Sequence, residues 1–217
     1  MSGPEPWSAA AVLARGEDGP LAAWAAQGLR IGLFGGSFNP AHGGHAHVAD
    51  TALRALDLDR VVWLVAPQNP LKAVEGMAAY QRRVLQAEHI ARHPQMCVST
   101  FEARHRLYFT LATICQLKTR YPLARFVWIM GADSLMSFHR WRGWRSIAAN
   151  VPFAVIPRPG ATLAAVSAPA ANMLAAYRVP TAMARDLATM APPAWVLLPA
   201  ALDPRSATTI RSRGLWP

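Results

Sequence analysis

The stretch that decides the fold reads Arg30-Ile31-Gly32-Leu33-Phe34-Gly35-Gly36-Ser37-Phe38-Asn39-Pro40-Ala41-His42-Gly43-Gly44-His45. Arg30 to Phe34 is a short apolar run ended by glycine, the pattern of a strand buried on both faces. From Gly44 to Leu56 the apolar residues fall at helical spacing. Gly35 and Gly36 permit close backbone approach, and a helix start offers unpaired N–H groups and the positive end of its dipole. Strand, glycine turn and helix N-terminus together make a phosphate cradle. The string is neither G-x-G-x-x-G nor G-x-x-x-x-G-K-[ST], so the dinucleotide fingerprint and the Walker loop are poor matches. What it supplies is imidazole. His42 and His45, three residues apart at a helix start, share a side and can put two rings on one phosphate. Two other readings use the same residues: a metal site of His42, His45 and His47 with Asp50 nearby, and a glycine turn with solvated histidines.

Outward from this stretch, strand-like runs alternate with helix-length segments. The runs are Arg60 to Val65, Met96 to Thr100, Arg125 to Met130, Val151 to Ile156 and Trp195 to Leu198. The helical segments are Ala78 to Arg92, Thr110 to Tyr121, and Leu135 to Ala149 with Gly143 as an interruption. Such alternation implies right-handed crossovers, hence a Rossmann-like, doubly wound α/β fold with a mostly parallel sheet and helices on both faces. Ligands of such sheets bind beyond the carboxyl ends of the strands. Residues 1–29, Ala-rich with Pro4, Pro6 and Pro20, read as a partly ordered N-terminal extension, leaving 30–217 as one domain. Ala161 to Ala191 is weakly patterned and its structure stays open.

Composition narrows the class. The chain has 217 residues, 53% hydrophobic and 16% charged, enough for one well-filled core and too little charge for disorder. No apolar stretch approaches the roughly 20 residues of a membrane span. Cys97 and Cys115 fit no C-x-x-C pattern and cannot build a disulfide framework, so a reducing, cytoplasmic setting is expected. The formal charge of +10 is uneven: residues 1–60 carry −2 and residues 61–217 carry +12. That field draws anions. Basic residues fall singly or in pairs rather than in runs, which favours small phosphorylated ligands over nucleic acid. A basic nucleic-acid-binding module without turnover is the alternative from another class.

A second cluster, Ser206-Ala207-Thr208-Thr209-Ile210-Arg211, places hydroxyls at a helix start with an arginine one turn on, a set that can gather polyphosphate oxygens. Pro67-Gln68-Asn69-Pro70-Leu71-Lys72, Gly131-Ala132-Asp133-Ser134-Leu135 and Arg158-Pro159-Gly160 each follow a strand, where the crevice should lie. Tyr108-Phe109-Thr110 opens a helix, and Trp141 and Trp144 are expected in the helix after Asp133.

Gly-Gly-Ser-Phe-Asn-Pro-x-His-x-Gly-His with Ser-x-Thr-x-x-Arg resembles the H-x-G-H nucleotidyltransferase superfamily. The further stretches resemble nicotinate-nucleotide adenylyltransferase, from about Arg30 to Arg213. The resemblance implies transfer of adenylate from ATP to nicotinate mononucleotide, giving nicotinate adenine dinucleotide and pyrophosphate. It implies Mg²⁺ bridging the phosphates with no protein metal ligand. His42 and His45 are then expected as donors to the α-phosphate, with the Gly35, Gly36, Ser37 and Phe38 backbone alongside, and Arg211 on the β and γ oxygens with Ser206 and Thr208 nearby. Asp133 and Arg158 are expected around adenosine, and Lys72, Thr110 and Trp141 on the mononucleotide side. Nicotinamide mononucleotide and phosphopantetheine are alternative acceptors; a cytidylyltransferase is a more distant one. The chain departs from the family pattern in its leader of about 29 residues, in Leu71, in Arg205 where an apolar residue usually precedes the serine, and in its early end after Arg211.

Overall fold

Six short apolar runs supply the strands: β1 Arg30–Gly36, β2 Arg60–Val65, β3 Met96–Ser99, β4 Arg125–Gly131, β5 Phe153–Ile156 and β6 Trp195–Leu197. All pair in parallel, in the order β3-β2-β1-β4-β5-β6. The structure is a computed structural model describing residues 18–67, 76–160, 162–201 and 203–216. The doubly wound parallel sheet expected from the sequence is the one observed. Strand order reverses at β1, whose neighbours are β2 and β4, so a crevice opens beyond the carboxyl ends of β1 and β4.

The helices are α1 Gly19–Ala26, α2 Gly43–Ala55, α3 Tyr80–Ile90, α4 Phe101–Arg104, α5 Thr110–Arg120, α6 Ala132–Phe138, α7 Trp144–Asn150, α8 Thr162–Val166, α9 Pro169–Met173 and α10 Ala207–Ser212. Each face of the sheet has its own apolar layer, because alternate strand side chains point to opposite faces. On one, Ile31, Leu33, Val62 and Trp128 pack with Leu21, Ile114, Leu117 and Phe138. On the other, Phe34, Val61 and Trp63 pack with Val48, Ala52, Val84 and Ala87 of α2 and α3.

Three features differ from the sequence expectation or fill its gaps. The helix expected over Leu135 to Ala149 is two helices: Gly143 takes φ +69°, and a side-chain carbon there would stand 2.7 Å from Leu111 Cδ2. Trp141 therefore lies in the intervening turn rather than in a helix. Within the segment read as an extension, α1 buries Leu21 and Ala25 completely. Asp18, at its start, accepts from Tyr121 Oη at 2.7 Å, His105 Nε2 at 3.0 Å and Arg120 Nε at 2.9 Å. Burial pushes that carboxyl up, and the three donors outweigh it and hold it below the usual range. The weakly patterned region 161–191 forms α8, α9 and two 3₁₀ segments, Ala175–Tyr177 and Thr181–Thr189, anchored where Trp195 Nε1 donates to the Leu174 carbonyl at 2.8 Å. Among the described residues no helix is long and apolar enough to cross a membrane.

Candidate active site

The site is built from the backbone of the β1–α2 junction. His42 is the extended N-cap of α2, and its Nδ1 accepts the Gly44 N–H at 3.1 Å. The His42 N–H in turn donates to Nδ1 of His45 at 3.2 Å. This is a reciprocal cap made of imidazoles. It also fixes chemistry: with Nδ1 of both rings accepting, the neutral rings carry their proton on Nε2, so each ring's other nitrogen is a donor. The ring centroids are 4.0 Å apart. Phe38 (φ +47°) meets His45 edge-to-face at 5.1 Å and stacks on buried Trp63 at 5.1 Å, bracing the pair from below.

His42 is buried. Burial lowers its pKa, Arg158 and Arg205 lower it further, and Asp203 only partly offsets them, so it comes down to about 4. The ring is thus neutral at pH 7 and can offer a hydrogen bond rather than a charge. In ¹⁵N spectra of the nucleotide-free protein, His42 is expected to stay neutral from pH 8 to about pH 5. The unfolded chain's histidine takes its proton near pH 6.5. Stability from this group is therefore whole above that value and falls as pH drops from about 6.5 toward 4. A His42 midpoint near 6.5 in the folded protein would contradict this burial.

The glycine turn is held from behind. Arg83, 1% exposed, donates to four carbonyls: Ser37 at 2.6 Å, Ala66 at 2.8 Å, Pro67 at 2.8 Å and Ala78 at 3.2 Å. It ties the chain after β1 to the chain after β2. Its spacing with Val84 and Ala87 was the only sequence signal that an arginine of α3 faced inward. Gly35 is needed for closeness, since a side-chain carbon there would stand 2.5 Å from Trp128 Cη2. Ser37 is 6% exposed, and its hydroxyl has no partner among the described residues. A buried hydroxyl with no partner is an exception that calls for an explanation.

Asn39 is a second organiser not singled out in the sequence. Its amide donates to the Gly76 carbonyl at 3.0 Å and accepts from Ala78 N–H at 3.1 Å and Trp216 Nε1 at 2.7 Å. Its own carbonyl accepts from Arg211 Nη1 at 2.5 Å. Arg211, far along the chain, is thereby brought to the β1 loop, while Arg82 lies 4.7 Å over the Trp216 ring. Ser206 caps α10, accepting the Thr209 N–H at 3.1 Å; Thr208 is exposed. Asp133 opens α6 directly after β4, and Arg158 follows β5. Arg158 Nε stands 4.0 Å from Asp133, and its Nη2 donates to the Arg205 carbonyl at 3.3 Å.

Gly35 to Phe38, His42, His45, Asp133, Arg158, Ser206 and Arg211 are thus gathered at the carboxyl ends of β1, β4 and β5. Thr110 and Trp141 lie in a neighbouring group, where Arg142 covers the Phe109 ring at 4.7 Å and Trp141 meets Phe138 edge-on at 5.4 Å. Trp128 links the two groups, touching the Gly35 backbone on one side and meeting Trp141 edge-on at 6.4 Å. Trp144 is core. Lys72 lies outside the described residues. His47 Nε2 is hydrogen-bonded to the Ala201 carbonyl at 2.7 Å, and Asp50 pairs with Arg54 at 2.6 Å. Among the described residues no three His, Cys, Asp or Glu side chains stand together to hold a metal.

The family model described as cytidylyltransferase-like matches residues 33–213. A protein of Parvibaculum lavamentivorans named probable nicotinate-nucleotide adenylyltransferase is 50% identical over 189 residues, 87% of this chain and 94% of the relative. One of a Caulobacter species with the same name is 51% identical over 185 residues, 85% and 98% of the two chains. Among solved structures, Plasmodium falciparum nicotinic acid mononucleotide adenylyltransferase superposes with TM-scores of 0.59 (complexed with APC) and 0.61 (complexed with NaAD). Each superposition covers 85% of this chain and 83% of that one at 14% identity, a likeness of fold. The histidine pair, the second motif and relatives sharing half of its residues agree: the chain belongs to the cytidylyltransferase-like family and, within it, to the nicotinate-nucleotide adenylyltransferases.

Proposed function

We propose that the gathered residues carry out the transfer as follows: the 5′-phosphate of nicotinate mononucleotide attacks the α-phosphorus of ATP, and pyrophosphate leaves. A phosphate monoester with a second pKa near 6 is largely dianionic at neutral pH, so the acceptor needs no general base. The task is to hold two anions in line and to neutralise charge that develops on the α-phosphate and the leaving group. That calls for donors. The observation carrying this reading is the pair of imidazoles whose Nδ1 atoms accept backbone N–H groups, so that each neutral ring carries its proton on Nε2.

In this reading His42 and His45 donate to the α-phosphate and Arg211 exchanges the Asn39 carbonyl for outer phosphate oxygens. Asp133 accepts from the ribose hydroxyls, and Arg158 lies along the adenosine. Mg²⁺ bound to the nucleotide would supply charge neutralisation on the phosphates. The donor set suits that mode: Asp203 is paired with Arg205, and Arg158 stands 4.0 Å from Asp133. The partners are small molecules. The free thiols Cys97 and Cys115 accord with a cytoplasmic setting.

Pyrophosphate release from ATP and Mg²⁺, with nicotinate mononucleotide, nicotinamide mononucleotide and phosphopantetheine offered separately, tests the reading. Strong preference for the first is expected; preference for another would overturn the acceptor, and silence with all three would overturn the reaction. Trp141 tests the acceptor side. Its alanine variant should raise the KM of the mononucleotide several-fold and leave that of ATP within about twofold, since stacking grips ground and transition states alike. A shift in the KM of ATP instead would misplace the ring.

A further inference from the structure

Arg205 stands one place before Ser206, outside the Ser-x-Thr-x-x-Arg pattern, yet it lies over the first residue of α2. A side-chain carbon on Gly43 would overlap the Arg205 guanidinium, and one on Gly44 would come within 3.0 Å of the Arg205 carbonyl. A cation at a helix N-terminus opposes the helix dipole. Here it is accompanied by a second, Arg158, bonded to the Arg205 carbonyl, and both depress the neighbouring His42 imidazole. Asp203 is the counter-ion, accepting Arg205 Nε at 2.9 and 3.1 Å and pairing with Nη2. Asp203 is largely buried, whereas the Arg205 side chain is 60% exposed, so the guanidinium can turn toward solvent or a ligand while the carboxylate stays. Around the helix start, Arg158, Arg205 and Arg211 face Asp133 and Asp203. That leaves one positive charge in excess, which favours an anion.

We propose that Arg205 is an ATP-binding residue specific to the pyrophosphate portion of the nucleotide, held over the start of α2 by Asp203. The inference rests on the adenylyl-transfer reading above. Buried His42 takes the inner phosphate; Arg205, exposed beside it, takes the outer ones, where a guanidinium bonds two oxygens at once.

Titration calorimetry of wild type, Arg205→Ala and Arg205→Gln against α,β-methylene-ATP, pyrophosphate and AMP tests this. Both variants should weaken the ATP analogue and pyrophosphate about tenfold, leave AMP within twofold, and flatten the salt dependence of analogue binding. In the nucleotide-free protein, Arg205→Ala should also raise the His42 midpoint, a readout independent of ligand. Unchanged binding of analogue and pyrophosphate would overturn the proposal, as would equal loss of AMP. A wild-type protein that binds the analogue with this Arg205 dependence yet adenylylates no acceptor would overturn the parent reading alone. Failure of wild type to bind any of the three would overturn both.

Discussion

His45→Ala is expected to lower kcat by at least about a hundredfold, the magnitude of losing one donor aimed at developing negative charge. The structure makes a structural effect separable from a catalytic one. Nδ1 of His45 caps the His42 N–H at 3.2 Å, and losing that cap costs about 1 kcal/mol of stability. A hundredfold in rate is about 2.7 kcal/mol, more than the cap accounts for. His45→Gln separates the two roles further. A glutamine at this helix position can reach back to the same N–H, as in an ordinary capping box, but does not put a ring nitrogen on the phosphate. It should recover the melting temperature without recovering kcat. If alanine or glutamine at position 45 supports near-normal turnover, the donor role is wrong.

Arg83→Met is expected to be the most destabilising single change in the site, by about 3–5 kcal/mol in urea unfolding. Each buried acceptor left without its donor costs about 1–3 kcal/mol, and relaxation recovers part of the total over four carbonyls. Among the described residues the guanidinium pairs with no carboxylate; it is held by carbonyl oxygens and by the Tyr80 ring 5.3 Å away. Burial accordingly pushes its pKa down, with Tyr80 partly opposing. Arg83→Lys should fall between, because one ammonium cannot span carbonyls from the ends of two strands. A loss below about 1 kcal/mol for Arg83→Met would show that water replaces the guanidinium and that the glycine turn does not depend on it.

How much of this was legible follows from what each residue's role depends on. The strands were readable within about two residues because parallel strands buried on both faces must be apolar along their whole length, as Val61 to Val65 are. His42, His45 and the glycines were readable because they lie close in sequence, on one turn and one helix start. Gly143 was noted as an interruption, yet only the structure shows that it caps the start of α7 at positive φ while α6 has already ended at Phe138, which leaves Trp141 in the turn between them.

Arg83 was missed because its partners are backbone carbonyls, which leave no mark in a sequence, and Asn39, quoted only as part of a motif, because its partners Gly76, Ala78, Arg211 and Trp216 come close only on folding. The same holds for α1. Nothing in an Ala-rich leader declares that Leu21 will be fully buried, or that the carboxylate before it will collect donors from Tyr121, His105 and Arg120. Arg205 was visible as a departure from a motif, but its meaning depends on lying over Gly43, a contact that exists only once β1 and the Ser206 loop are brought together.

The sequence by itself determined the sheet, the cradle and the family, because apolar periodicity and short-range motifs are local properties written residue by residue. Only the tertiary structure decided which ring nitrogens donate, which cations crowd His42, and what holds the glycine turn. Protonation, burial and charge balance are set by groups that come close through folding, whatever their separation along the chain.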